Sequence, residues 1–159
     1  MTVSTVAVTA ARALWPTQPD GLIPPLINWP GGKRKLLGAL LPHFPTQPEE
    51  YFEPFFGGAA VFLSLRPQRA VLSDTNLELV NMYQQVRDNP QALIRLLHKY
   101  SNSEKAYYAV RASRPRSPLT RAVRLLYLTR LAFNDVDLLV ALTVAHLRKT
   151  TTLIVEAAR

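Results

Sequence analysis

The first half of the chain alternates between short apolar runs and stretches in which leucine and valine recur at helical intervals. Leu36, Leu37, Leu40 and Leu41 share one helical face, whereas residues 51–55 form a short aromatic run suited to a buried strand. The predicted elements are, in chain order, a helix over residues 33–41, a strand over 51–55, a helix over 59–65, a strand over 70–73 and a helix over 76–87. This succession predicts an α/β fold built on a parallel sheet.

The second half is basic and predominantly helical as far as residue 133. A helix is predicted from Asn89 through Leu97 and another over residues 120–133, with a proline-containing break between them. Every proline, glycine and aromatic residue of the chain lies at or before Phe133. The composition of residues 135–159 therefore indicates a tail that does not continue the same domain.

The charge balance narrows the class of partner. The chain of 159 residues carries 19 Lys and Arg against 11 Asp and Glu, a formal net charge of +8. This excess favours a polyanionic partner, nucleic acid first and an anionic membrane surface second, although a basic surface can also serve solubility alone.

Other compositional features exclude several kinds of site. The chain has no cysteine, which excludes disulfides and thiolate metal sites, and its three histidines lie too far apart to suggest zinc ligands. The longest apolar stretch, residues 136–147, is too short to span a bilayer of about 30 Å. No signal peptide is evident at the N-terminus. We expect a soluble cytoplasmic protein with no membrane span and no metal.

A glycine pair follows the first predicted strand. Gly57 and Gly58 permit a tight turn and close approach of a ligand to the backbone. The spacing does not match the dinucleotide fingerprint, so a pyrophosphate is not favoured. Asp74 ends the second predicted strand, where an acid can accept hydrogen bonds from ribose hydroxyls. Together these features favour an adenosine-bearing ligand without a diphosphate. The alternatives are a purely structural turn and an Asp74 that caps the next helix.

A second cluster precedes the first predicted helix. Within residues 28–33, Trp29 offers a face for an adenine ring or a sulfonium cation, and Lys33 can pair with a carboxylate. The spacing is not that of a P-loop. The alternative is a basic surface turn that leads into an amphipathic helix.

Three segments, taken in order, resemble the Dam-like DNA adenine-N6 methyltransferases. They are Asn28-Trp29-Pro30-Gly31-Gly32-Lys33, Tyr51-Phe52-Glu53-Pro54-Phe55-Phe56-Gly57-Gly58 and Leu72-Ser73-Asp74-Thr75-Asn76. The resemblance implies a partial Rossmann-like methyltransferase sheet with a helical insertion, and S-adenosyl-L-methionine as cofactor. The cofactor-binding positions that it implies are Trp29, Lys33, Glu53, Phe55, Gly57 and Asp74.

The same resemblance gives the basic helical stretch a role, because this family inserts a helical target-recognition region that contacts double-stranded DNA. Arginines suit contacts to phosphates and base edges. The candidate DNA-binding residues are Arg111, Arg114, Arg116, Arg121, Arg124 and Arg130. The alternative is a solvated basic face with arginine stems packed on the core.

The resemblance divides the chain into four parts. They are a flexible extension (1–25), a cofactor-binding α/β core (26–88), a helical DNA-recognition region (89–134) and a divergent tail (135–159).

The family's catalytic Asp-Pro-Pro-Tyr motif is absent, so no catalytic residue is assigned. We expect a site-specific DNA adenine-N6 methyltransferase that is truncated or shifted out of frame after residue 134. The alternatives are a noncatalytic cofactor- or DNA-binding remnant and an unstable fragment without a function of its own.

Overall fold

The computed structural model describes residues 25–46, 48–129 and 152–158, together with Val144 and Leu147. The predicted N-terminal extension therefore lies almost wholly outside the described residues. Within the described residues the strands are β1 (Glu50–Glu53), β2 (Arg69–Asp74) and β3 (Thr152–Ala157). The helices are α1 (Leu37–Leu40), α2 (Ala60–Leu65), α3 (Leu77–Asp88), α4 (Pro90–Leu97), α5 (Glu104–Ala112) and α6 (Pro118–Thr129), and short 3₁₀ turns flank α1 at Lys33–Leu36 and Leu41–His43.

The strands form one parallel sheet in the order β1-β2-β3. Glu53 of β1 is in register with Leu72 of β2, and Asp74 of β2 is in register with Ala157 of β3. The predicted α/β class with a parallel sheet is confirmed, and the described part matches a partial Rossmann-like fold. Because the strands are parallel, their carboxyl ends share one edge, and the loops after β1 and β2 meet there.

Strand β3 is an element that the hydrophobic pattern of the sequence does not predict. Thr152, Ile154 and Val155 are β-branched residues, which fit a pleated sheet. Two side chains of α3 hold the strand: Gln84 Nε2 donates to the carbonyl of Val155 at 2.8 Å, and Arg87 Nη1 donates to the carbonyl of Leu153 at 3.0 Å. Part of the segment interpreted as a divergent tail is thus a strand of the sheet.

The core lies between the sheet and the helices, chiefly α3 and α6. Leu79, Met82 and Tyr83 of α3 and Leu126 of α6 are buried, and burial of each such apolar side chain stabilises the fold by about 1.5–3 kcal/mol. The Tyr83 hydroxyl donates to the carbonyl of Gly58 at 2.9 Å. The core is therefore attached directly to the glycine turn that follows β1.

The helix starts follow local capping chemistry. The side chains of Asn76 and Ser103 accept from backbone N–H groups in the first turns of α3 and α5, and α4 and α6 each begin with a proline. The helical stretch predicted after residue 89 is confirmed as three helices up to Thr129, and the rest of the predicted 120–133 helix lies outside the described residues.

Candidate functional site

The turn between β1 and α2 requires a left-handed backbone. Gly57 has φ +52°, a conformation that side-chain-bearing residues rarely adopt. A Cβ placed on Gly57 would meet Trp29 Cδ1 at 3.5 Å, so the first loop packs directly against the turn. Gly58 is similarly close, because its Cβ would lie 3.3 Å from the carbonyl oxygen of Ile27. The loop of residues 28–33 and the glycine turn therefore form one structural unit.

Asp74 holds this turn from the end of β2. Its Oδ2 accepts from the N–H of Gly57 at 3.0 Å, and its Oδ1 accepts from the N–H of Asn76 at 2.9 Å. The side chain that caps α3 is Asn76, which accepts from the N–H of Glu78 at 3.0 Å. Asp74 is thus not the helix cap. Two N–H donors occupy only part of the capacity of a carboxylate, which leaves lone pairs for a ligand hydroxyl.

Lys33 connects the first loop to the end of β1. Its Nζ donates to the carbonyl of Phe55 at 2.5 Å and lies 3.1 Å from Glu53 Oε1. An ammonium group has three donors, so one remains for a ligand carboxylate or carbonyl. Lys33 therefore has a structural role whether or not it also contacts a ligand.

Glu53 is a buried acid, with 5% of its surface exposed. Burial raises the pKa of Glu53 above its ordinary value, and the positive charge of Lys33 counteracts that rise. Burial, together with the negative charge of Glu53, also raises the pKa of Tyr51. Hydrogen bonds with Tyr51 and the backbone of Phe62 also lower the pKa of Glu53, but burial outweighs these effects and that of Lys33.

The two aromatic side chains at the site, Phe55 and Trp29, differ in their exposure to solvent. Phe55 is 62% exposed, and its backbone carbonyl accepts from Lys33. Trp29 is half-buried and packs against the core. An exposed aromatic ring can stack on a base.

Two clefts border the site. One, of about 460 Å³, is lined by residues that include Asn28, Trp29, Arg34 and Gly58. The other, of about 440 Å³, is lined at the carboxyl edge of the sheet by residues that include Glu53 and Ser73. Both volumes fall in the range of small-molecule sites. Of the six predicted cofactor positions, Trp29 lines the first cleft and Glu53 the second, whereas Lys33, Phe55, Gly57 and Asp74 line neither of them.

The predicted DNA-binding arginines separate into two groups. Arg121 of α6 donates to Glu78 Oε1 through Nη2 at 2.5 Å and through Nε at 3.1 Å. Arg124 donates to the carbonyls of Val110 and Arg111 at 3.1 and 2.7 Å, at the end of α5. Arg121 therefore links α6 to α3, and Arg124 links α6 to α5. No local sequence pattern identifies Glu78 as a functional residue, because its partner Arg121 comes much later in the chain.

The other described arginines of the predicted DNA-binding set face solvent. Arg111, Arg114 and Arg116 are exposed, and Arg114 Nη1 donates to the carbonyl of the adjacent Ser113 at 3.3 Å. Tyr108 of α5 is 55% exposed on the same stretch of chain. Arg130 lies outside the described residues. Of the five predicted arginines that the structure describes, three are therefore surface candidates.

The described residues contain neither a membrane-spanning helix nor a metal-binding cluster. No helix there is long and apolar enough to cross a membrane. No group of three or more His, Cys, Asp or Glu there could hold a metal ion.

Comparison with known proteins gives one family. Residues 29–139 match the family of D12 class N6 adenine-specific DNA methyltransferases. The Type II methyltransferase M1.LlaDCHI of Lactococcus lactis subsp. cremoris is 42% identical over 118 residues, which cover 69% of this chain and 42% of that protein. The Type II methyltransferase M.CviBI of Paramecium bursaria Chlorella virus NC1A is 35% identical over 113 residues, covering 69% and 44%. The DNA adenine methylase of Escherichia coli K12 is 34% identical over 114 residues, covering 68% and 41%. The matched part of the chain spans less than half the length of these relatives.

Proposed function

Because the chain belongs to the D12 class N6 adenine-specific DNA methyltransferases, we propose that it binds S-adenosyl-L-methionine at the turn formed by Gly57 and Asp74. We further propose that it forms the cofactor-binding part of an enzyme that methylates adenine N6 in double-stranded DNA inside the cell. The observation that carries the proposal is the hydrogen bond from Gly57 N–H to Asp74 Oδ2, which joins two of the family's motifs in one place.

The residues present fit such a cofactor. Gly57 keeps the space beside Trp29 free of a Cβ, and Asp74 has lone pairs left for the two ribose hydroxyls. The exposed ring of Phe55 can stack on the adenine, and the face of Trp29 can attract the sulfonium. Lys33, held by Glu53, has a donor left for the methionine carboxylate. When bound, the cofactor supplies the methyl group that is transferred.

The proposed DNA contacts lie on the exposed basic stretch of the helical region. Arg111, Arg114 and Arg116 are solvent-facing and can neutralise phosphates, which positions a protein on DNA without specifying a sequence. Arg121 and Arg124 are engaged within the chain, so we assign them to the framework of this region. The proposed reaction requires no metal. The Type II relatives favour a place in restriction–modification.

A second candidate is a noncatalytic module that binds the cofactor or DNA. The observation that favours it is the absence of the Asp-Pro-Pro-Tyr tetrad from the 159 residues. An aromatic ring and a polar acceptor of this kind hold a flipped base in the active site. We therefore expect this chain alone, incubated with tritiated S-adenosylmethionine and duplex DNA, to leave adenine unlabelled. Strong labelling of adenine would exclude the second candidate.

Cofactor binding tests the proposal itself. We expect calorimetric titration of the whole chain with S-adenosylmethionine to show one site, and Asp74→Ala to weaken binding at least tenfold. Asp88→Ala is the matched control, because Asp88 lies at the far end of α3 and pairs with the neighbouring Arg87. The proposal fails if the wild-type chain does not bind, or if the Asp74 and Asp88 variants bind equally.

A further inference from the structure

A continuous set of contacts leads from the candidate cofactor site to the helical region. Asp74 accepts from Gly57 and from the N–H of Asn76, and the side chain of Asn76 accepts from the N–H of Glu78. The carboxylate of Glu78 then receives two N–H groups of the Arg121 guanidinium. Four consecutive contacts thus join the turn after β1 to the first half of α6.

The contact between Glu78 and Arg121 links the position of α6 to that of α3. The Arg121 guanidinium donates through both Nε and Nη2 to the same oxygen, Glu78 Oε1, so that oxygen is held between two adjacent donors of the planar group. A second contact runs alongside, because Asn81 Nδ2 donates to the carbonyl of Pro118, the first residue of α6, at 2.9 Å. The N-terminal halves of α3 and α6 are therefore held together at two points.

The basic surface is attached to α6 in the same manner. Arg124 lies one helical turn after Arg121 and holds the carbonyls of Val110 and Arg111 at the end of α5. A shift of α6 would carry with it the end of α5 and the following exposed segment, which contains Arg114 and Arg116. The solvent-facing arginines are thus connected to Glu78 through Arg121 and Arg124.

We propose that Glu78 and Arg121 are positioning residues that couple occupation of the cofactor site to the placement of the DNA-binding surface. This inference rests on the proposed function. In physical terms, a ligand bound to Asp74 restricts the motion of the segment from Asp74 to Glu78. Glu78 in turn restricts the motion of α6 through Arg121. Coupling of this kind is reciprocal, so the cofactor tightens DNA binding by the same factor by which DNA tightens cofactor binding.

The experiment measures this factor in the full chain. A fluorescent duplex is titrated by anisotropy with and without saturating S-adenosylmethionine. We expect the cofactor to tighten DNA binding about two- to fivefold, the range that one partly exposed ion pair can supply. Glu78→Gln and Arg121→Gln should each remove the effect. The exchange of charges in Glu78→Arg with Arg121→Glu should restore part of it, because the positive charge then lies in the first turn of α3, where the helix dipole disfavours it.

The matched control is a second exposed ion pair at the opposite edge of the sheet. Arg69 donates through Nε to Glu50 Oε1 at 3.1 Å, far along the strands from Asp74. Glu50→Gln and Arg69→Gln should leave the coupling factor unchanged. If these controls lose the coupling to the same degree as Glu78→Gln, the specific role of Glu78 and Arg121 is refuted.

A ligand-free measurement separates this inference from the proposed function. Hydrogen exchange of the Gly57 and Asn76 amides should accelerate in Arg121→Gln and stay at the wild-type rate in Arg69→Gln. Equal rates in both variants overturn the inference even where the chain binds cofactor and DNA normally. If the wild-type chain binds neither ligand, the proposed function fails and the inference falls with it.

Discussion

The substitution Asp74→Asn is the most direct perturbation of the candidate site, because it keeps the size of the side chain and removes only one acceptor oxygen and the charge. The carboxylate accepts one N–H on each oxygen, from Gly57 and from Asn76. An asparagine must turn its amide NH₂ toward one of these donors, whichever way it rotates. One backbone N–H therefore loses its partner in a part-buried position.

The loss can be estimated from these two bonds. Exchange of a charged acceptor for a neutral one costs about 1 kcal/mol at the bond that survives, and the orphaned N–H costs about 1–3 kcal/mol. We expect the free energy of unfolding to fall by about 2–4 kcal/mol, a large part of the 5–15 kcal/mol that is typical of a domain. With a urea slope of about 2 kcal/mol per molar, the middle of the usual range, the unfolding midpoint should drop by roughly 1–2 M.

Urea unfolding followed by circular dichroism measures this difference. Asp88→Asn is the control: Asp88 carries the same functional group but pairs on the surface with Arg87, an interaction worth about 0.2–1 kcal/mol. If Asp74→Asn unfolds at the same urea concentration as Asp88→Asn, Asp74 does not hold the turn. The geometric basis for the cofactor site would then be lost as well.

Three further variants test other parts of the structure. Burial raises the pKa of Glu53, so the free energy of unfolding of the wild-type chain should fall as the pH rises from the ordinary carboxyl pKa through the raised one. Glu53→Gln should flatten this part of the plot of stability against pH. A slope that persists in the variant contradicts the assignment. Gly57→Ala should cost about 1–2 kcal/mol for its left-handed backbone, whereas Gly38→Ala in α1 should gain about 0.5–1 kcal/mol; equal shifts in thermal midpoint refute this. Arg124→Ala should cost about 1–2 kcal/mol and speed hydrogen exchange at the end of α5, and unchanged exchange there argues against its bracing role.

The site was predictable from sequence to the extent that its residues lie at strand ends. Gly57 and Asp74 follow successive parallel strands, so the sheet itself brings them to one edge, and their hydrogen bond follows from that placement. The position of Lys33 was harder to predict. Its contact with the carbonyl of Phe55 depends on how the first loop folds over the turn, which no periodicity describes.

For the six candidate DNA-binding arginines, the sequence does not predict which side chains are exposed. Six arginines in twenty residues look equivalent as a pattern, yet Arg121 is held by Glu78 and Arg124 by backbone carbonyls, whereas Arg116 is exposed. Which arginine meets solvent depends on helix packing between segments distant in the chain. Strand β3 was missed for a related reason, because it becomes a strand by pairing with β2 across the whole helical region.

The pairing of β2 with β3 also has a consequence for how the chain folds. Strands β1 and β2 are joined by a single short helix, so their pairing closes a small loop, whereas Arg69 can meet Thr152 only after the whole intervening chain has been brought back to the sheet. Loop closure over such a distance is slow, and rates of folding fall as contacts become less local. Until it is complete, β2 presents an open row of N–H and C=O groups, a template on which another chain can pair. Before β3 docks, this open edge of β2 is therefore exposed to pairing with another chain.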